Sequence, residues 1–119
     1  AYAKERQQFG RPIGSFQGLQ WKLVDAALEL ERAAAAVSWA AMCVDADAAE
    51  APYAVHSAKL EAGGAARRCA RTSLQVHGGI GYTWEHGLHY WLRRAYAGDA
   101  FMGPSDYHAR RLADLLFAA

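Results

Sequence analysis

The sequence has 119 residues, the size of one domain. Its 53% hydrophobic and 21% charged content excludes a disordered chain, and its formal net charge of +1 excludes a general nucleic-acid grip. Twenty-seven alanines against five valines and two isoleucines argue for helices, because alanine favours helix and β-branched residues favour strands.

No run of residues is long and apolar enough for a membrane span, and no charged-then-apolar start marks a secretory signal. Cys43 and Cys69 suit a reduced, cytoplasmic protein better than a disulfide scaffold. The chain opens without Met, in a stretch that reads as helix already under way, so a piece of a longer protein is expected.

Ala1 to Phe9 reads as a helix end, stopped at Gly10 and Pro12. A short loop follows over residues 10–14, and Ser15 is the expected N-cap of the next helix. From Phe16 the apolar positions run Leu19, Leu23, Ala27, Leu30, Ala34, Val37, Ala41 and Val44, mostly three or four apart. That spacing predicts one apolar face on a helix of about 30 residues, roughly 45 Å long. Asp45 to Pro52 breaks it.

A third helix is predicted from about Pro52 to Val76, with Ala54, Ala58, Ala62, Ala65 and Cys69 along one side. Gly63-Gly64 inside it weakens the helix by roughly 1 kcal/mol per glycine, which points to close approach of a neighbouring helix. Lys59, Arg67, Arg68 and Arg71 read mostly as a solvated or interface face. His77 to Gly81 ends the helix. Thr83 is the expected cap of a fourth helix carrying Leu88, Trp91 and Leu92 inward and ending by Ala97. A last helix is predicted from Ser105 through Leu112, Leu115 and Leu116 to the end. The expected fold is all-α, an up-down bundle of four-helix type.

The residues taken singly carry little chemistry. His86 and His89 lie three apart, but no carboxylate pair or CxxC supports them as ligands, so no metal site is expected. The cysteines read as core packers. None of the serines has a nucleophile-elbow context. Gly78-Gly79-Ile80-Gly81 follows a helix rather than a strand, so it is a helix end that also lets a ligand approach backbone closely.

Their order is more specific. Arg6-Gln7-Gln8-Phe9-Gly10, Pro12-Ile13 and Phe16-Gln17 precede Gln75-Val76-His77-Gly78-Gly79-Ile80-Gly81-Tyr82, and Arg93 follows twelve residues after Gly81. This pattern resembles the C-terminal helical domain of the acyl-CoA dehydrogenases over essentially the whole chain. Thr83-Trp84-Glu85-His86 with Leu92-Arg93-Arg94-Ala95 further resembles an actinobacterial subgroup, some of whose members work as heteromers on steroid side-chain thioesters.

The resemblance implies an FAD flavoprotein that dehydrogenates an acyl-CoA thioester in fatty-acid or steroid side-chain metabolism. Its N-terminal helical and middle β domains would lie outside this chain. It implies an electron-transfer-flavoprotein-like acceptor, and a homodimer, tetramer or heteromer with a related subunit. It places Arg6 on the FAD pyrophosphate of a neighbouring subunit and Phe9 beside the adenosine half. Gln17 and Gln75 would meet the nucleotide, Gly78 and Gly79 would give close cofactor approach, and Gln8 is a lesser contact.

In many members the base that takes the α-proton is a glutamate ahead of the last helix. The matching residue here is Met102, which cannot accept a proton usefully, although its backbone N–H could still meet the thioester carbonyl. The base would then sit on an earlier helix upstream or on a partner chain. A shifted alignment would instead bring in Asp99 or Asp106. The family's Thr and Gln near the flavin are Pro104 and Asp106 here. Two other readings remain: a non-catalytic subunit of a heteromeric dehydrogenase, and a helical oligomerisation domain without a cofactor role.

Overall fold

A computed structural model describes residues 1–117. Its helices are α1 (Tyr2–Glu5), α2 (Gln17–Asp45), α3 (Ala51–His77), α4 (Leu88–Ala100) and α5 (Ser105–Phe117). The molecule is elongated, 59 × 27 × 25 Å, as the two long helices require. α3 is the central element, packing on α2 along its length and carrying α4 and α5 on its remaining surface. The all-α bundle expected from composition is the observed architecture.

Small residues set the α2–α3 seam. Ala40 and Cys43 of α2 meet Ala54 and Ala58 of α3, with Ala36, Ala48 and Ala51 around them. Ala54 is 0% exposed, and Ala65 continues the buried line along α3. Methyl groups at these positions let two backbones approach closely. The buried face of α2 therefore differs from the one predicted. Leu23, Leu30, Val37 and Val44 are exposed, and the packed stripe is Ala26, Ala33, Ala36, Ala40 and Cys43. Trp21, Val24, Leu28 and Met42 are exposed as well. Periodicity found a helix, but the larger side chains marked the wrong face because α3 takes the narrow one.

The first segment also differs. α1 stops at Glu5, and Gln7–Gln8 (β1) pairs antiparallel with Arg11–Pro12 (β2) in the register Gln7↔Pro12 and Gln8↔Arg11. Phe9 (φ 54°) and Gly10 (φ 77°) form the two-residue connection. Two successive left-handed residues match the twist of a tight hairpin. Gly10 thus closes a hairpin rather than ending a helix. Ser15 does not cap α2: its hydroxyl donates to the Pro12 carbonyl at 2.7 Å, and Phe16 occupies the cap position.

α3 has the predicted extent within a residue and ends where Gly78 adopts φ 61°. Thr83 does not cap α4. Its hydroxyl donates to the Ile80 carbonyl, and α4 begins later, after Gly87 at φ 73°. His86 consequently lies outside the helix that holds His89. Leu88 is buried and Leu92 half-buried, while Trp91, expected inward, is exposed. α4 runs on to Ala100. Ser105 begins α5 as expected, and the last two residues of the predicted helix lie outside the described residues.

The basic residues of α3 are interhelical ties. Arg67 pairs with Asp99 of α4 and Arg68 with Glu29 of α2. Arg71 Nε donates to the Tyr96 hydroxyl at 2.8 Å. Lys59 Nζ donates to the Gly98 and Asp99 carbonyls, each at 2.9 Å, closing the end of α4. Asp99 is 7% exposed, and Ser105 Oγ donates to its Oδ1 at 2.5 Å. A Cβ on Gly63 would collide with this carboxylate. Gly63 is therefore the close approach foreseen in the sequence, whereas a Cβ on Gly64 would meet only the side chain of Arg68.

These surroundings fix the sign of two substitutions. Ala is about 1 kcal/mol better than Gly inside a helix. Gly98→Ala, with open space around the new methyl, is expected to stabilise by about 0.5–1 kcal/mol. Gly63→Ala is expected to destabilise by about 1–3 kcal/mol, because the paired carboxylate of Asp99 cannot give way. Urea unfolding of the two variants measures both; a gain from Gly63→Ala would mean that the Asp99 corner is loose.

Candidate functional site

Two places on α3 gather functional groups. The first is a groove of about 360 Å³ at its C-terminal end, where the hairpin meets the glycine turn. Its lining includes Tyr2, Arg6, Gln8, His77, Gly78 and Gly79. The hairpin register, with the Ile13 N–H bonded to the Arg6 carbonyl at 2.8 Å, holds Arg6 and Gln8 here. Gly14 lets the chain pass under α1, since a Cβ there would come 2.8 Å from the Ala3 carbonyl oxygen. On the opposite wall a Cβ at Gly78 or Gly79 would meet nothing within 4 Å, so the backbone is open to a ligand.

Four of the seven expected cofactor residues therefore converge: Arg6, Gln8, Gly78 and Gly79. Phe9, Gln17 and Gln75 do not line the groove. Phe9 is 91% exposed at the hairpin tip, its ring edge-on to Phe16 at 6.1 Å. Gln17 begins α2 and Gln75 lies near the end of α3, both exposed.

Tyr2 and His77 were not singled out in the sequence. Their rings stack at 4.5 Å, and the Tyr2 hydroxyl donates to the His77 carbonyl at 3.4 Å. His77 Nδ1 lies 2.7 Å from the Ser73 carbonyl, so it carries a hydrogen, and in the neutral ring Nε2 is then an acceptor. No local pattern could have paired residues 75 positions apart.

The second place is the turn Phe101-Met102-Gly103 between α4 and α5. Met102 is 75% exposed and left-handed at φ 60°, followed by Gly103 at φ 106°. His108 Nε2 lies 3.1 Å from the Met102 carbonyl, and His108 Nδ1 lies 2.8 Å from His56 Nδ1. A carbonyl only accepts, so His108 Nε2 donates. In the neutral ring Nδ1 is then an acceptor, and His56 Nδ1 must be the donor. The two nearest carboxylates are placed differently. Asp99 is held by Arg67 and Ser105, and Asp106 lies in the first turn of α5, where the helix dipole favours it. Trp84 and His89 stack at 4.0 Å, and the Arg93 guanidinium sits 5.4 Å over Trp84.

The C-terminal-domain profile of the acyl-CoA dehydrogenases matches residues 1–117. The chain belongs to the acyl-CoA dehydrogenase family. It is 40% identical to the acyl-CoA dehydrogenase FadE34 of Mycobacterium tuberculosis over 116 residues, 97% of this chain and 16% of that one. The structure of the ChsE4–ChsE5 complex of M. tuberculosis contains a chain with the same fold, at TM-score 0.89 and 32% identity, over 98% of this chain and 32% of that one. The FAD complex of PigA gives TM-score 0.90 and 30% identity, over 97% and 30%. The chain thus spans about a third or less of each of these similar proteins.

Burial, then the neighbouring His108 and Arg111, push the His56 pKa below its ordinary value near 6.5. The folded state therefore favours neutral His56, while the unfolded chain takes up a proton as the pH drops below about 6.5. The resulting stability is fully present above that pH and is lost as pH falls toward the depressed folded value. Urea midpoints recorded downward from pH 7 should fall more steeply for the native chain than for His56→Gln; parallel curves would remove His56 as the source.

Proposed function

We propose that this chain is the C-terminal domain of an FAD-dependent acyl-CoA dehydrogenase, completing the cofactor site of a neighbouring subunit. The convergence of Arg6 and Gln8 with the open Gly78–Gly79 backbone in one groove carries this reading. A cation with a fork of donors, an amide and a bare backbone suit the charged and polar half of a dinucleotide. Arg6 would hold a phosphate, Gln8 would bond the nucleotide, and Gly78 and Gly79 would let it lie close. Phe9, Gln17 and Gln75, exposed and outside the groove lining, would reach parts of FAD extending beyond it. The PigA likeness, with FAD in that complex, supports the choice of cofactor. FAD, when bound, accepts the β-hydride of the acyl chain.

The N-terminal helical and middle β domains would belong to the same full-length protein and hold most of the flavin and the thioester. Met102 brings no base to the turn, so the base sits on an upstream helix or on a partner chain. The substrate class is an acyl-CoA, in line with the FadE34 likeness, and its fatty-acid or steroid side-chain type is what the sequence resemblance implies. An electron-transfer-flavoprotein-like acceptor would reoxidise the flavin. The large apolar side chains exposed on α2 support burial against other domains or subunits in a homo-oligomer or heteromer. A heteromer in which a related subunit supplies the base is the second reading, favoured by Met102 and by the likeness to a two-component complex.

The test is FAD content. In the full-length protein, Arg6→Ala and Gln75→Ala are each expected to lower flavin occupancy at limiting FAD, read from absorbance of the purified protein. Unchanged occupancy and activity in both would reduce the domain to a helical oligomerisation module. The 119-residue chain alone is expected to retain no stoichiometric FAD and to turn over no acyl-CoA. Met102→Glu leaving activity unchanged, while a partner-chain carboxylate variant is inactive, would select the heteromer.

A further inference from the structure

The backbone around Met102 is tied on both sides of one free group. The Phe101 N–H donates to the Ala97 carbonyl at 3.0 Å, and the Gly103 N–H to the Ala100 carbonyl at 3.3 Å. The Met102–Gly103 peptide is also held at its other end, where the Met102 carbonyl accepts from His108. Between these fixed peptides lies the Met102 N–H, which finds no acceptor among the described residues. A non-glycine residue in the left-handed region costs roughly 1–2 kcal/mol, so such a turn persists only when its surroundings hold it.

The surroundings here are two imidazoles. His108 is 6% exposed and reaches the turn because Gly103 has no side chain: a Cβ there would come 3.1 Å from His108 Nε2 and 2.9 Å from the Tyr107 ring. His56, on α3, fixes the tautomer of His108 by donating to its Nδ1. A hydrocarbon of similar volume would fill the same space without aiming a donor at the carbonyl. The chain thus runs from the middle helix, through two rings, to one backbone oxygen beside an unused N–H.

We propose that His56 and His108 are a positioning pair: they clamp the Met102 carbonyl and so fix the Met102 N–H, the group that the family resemblance sets against the thioester carbonyl of the substrate. This rests on the dehydrogenase reading above. Loss of the α-proton puts negative charge on the thioester oxygen, and a donor already in place stabilises that charge more than it stabilises the bound substrate. Loosening the donor should therefore lower kcat more than it raises KM.

The experiment uses the full-length flavoprotein with His108→Leu, His108→Gln and His56→Phe. His108→Leu should lower kcat by roughly 10- to 100-fold, less than or near the loss seen when such a donor is removed outright, with KM and FAD content little changed. His108→Gln should recover most of the loss, because its amide N–H can still donate to the Met102 carbonyl. His56→Phe should fall between them. Isotope-edited infrared spectra of bound enoyl-CoA, labelled at the thioester carbonyl, should show a lower carbonyl frequency in the native protein and His108→Gln than in His108→Leu. Equal losses in His108→Gln and His108→Leu would overturn the proposal, as would native kcat and carbonyl frequency in His108→Leu. Should His108→Leu fail to fold, His56→Phe decides alone, since native kcat and carbonyl frequency in that variant also overturn the proposal. A native protein that oxidises no acyl-CoA would remove the dehydrogenase reading and this inference with it. An active native protein with indifferent variants would remove the inference alone.

Discussion

The buried carboxylate of Asp99 holds this domain in shape. Arg67 of α3 neutralises it, Ser105 at the start of α5 donates to it, and Gly63 leaves it room against the middle of α3. Lys59 ties down the carbonyls at the same end of α4. A buried charge is tolerated only when paired and hydrogen-bonded, so this corner has one low-energy arrangement. The turn bearing Met102 is the direct continuation of that corner. Its backbone can be displayed at the surface in a left-handed conformation because both flanking helices are anchored beneath it.

Such polar ties matter because the apolar core is thin. No large side chain is fully buried among the described residues, and the seam between the long helices is made of Ala and Cys. Alanine contributes little burial per residue but permits close helix contact, where many weak dispersion contacts accumulate. The larger apolar side chains of α2 lie outside that seam. The helices are therefore fixed to one another by narrow contacts and ion pairs, while much of the hydrophobic area that could stabilise the domain faces outward.

The sequence was most legible where one physical rule acted alone. Alanine content and spacing located α2 and α3 almost to the residue, and Gly63 announced a close approach that Asp99 makes. It was misleading where tertiary geometry chose between local options. The face of α2 that packs is set by the small residues of α3, not by the largest side chains of α2. Gln7 to Pro12 is too short and too exposed to show strand alternation, so its hairpin was hidden behind a glycine and a proline that also suit a helix end. At the groove, Arg6, Gln8, Gly78 and Gly79 were visible through an ordered pattern of residues. The Tyr2–His77 stack and the His56–His108 contact join residues 75 and 52 positions apart, and no local signal links them.

The groove and the Met102 turn are both referred to one continuous helix, α3. His77 borders the groove at the end of α3, and Gly63 seats the turn's anchor fourteen residues earlier. At 1.5 Å per residue, that interval is roughly 20 Å along the axis. α3 is thus a ruler, with its glycine turn as one mark and Gly63 as the other. The length of α3 between these marks sets how the two places stand relative to one another. One inserted residue there would move the marks about 1.5 Å apart and swing them about 100° around the axis, so that the two places no longer kept their present relative orientation.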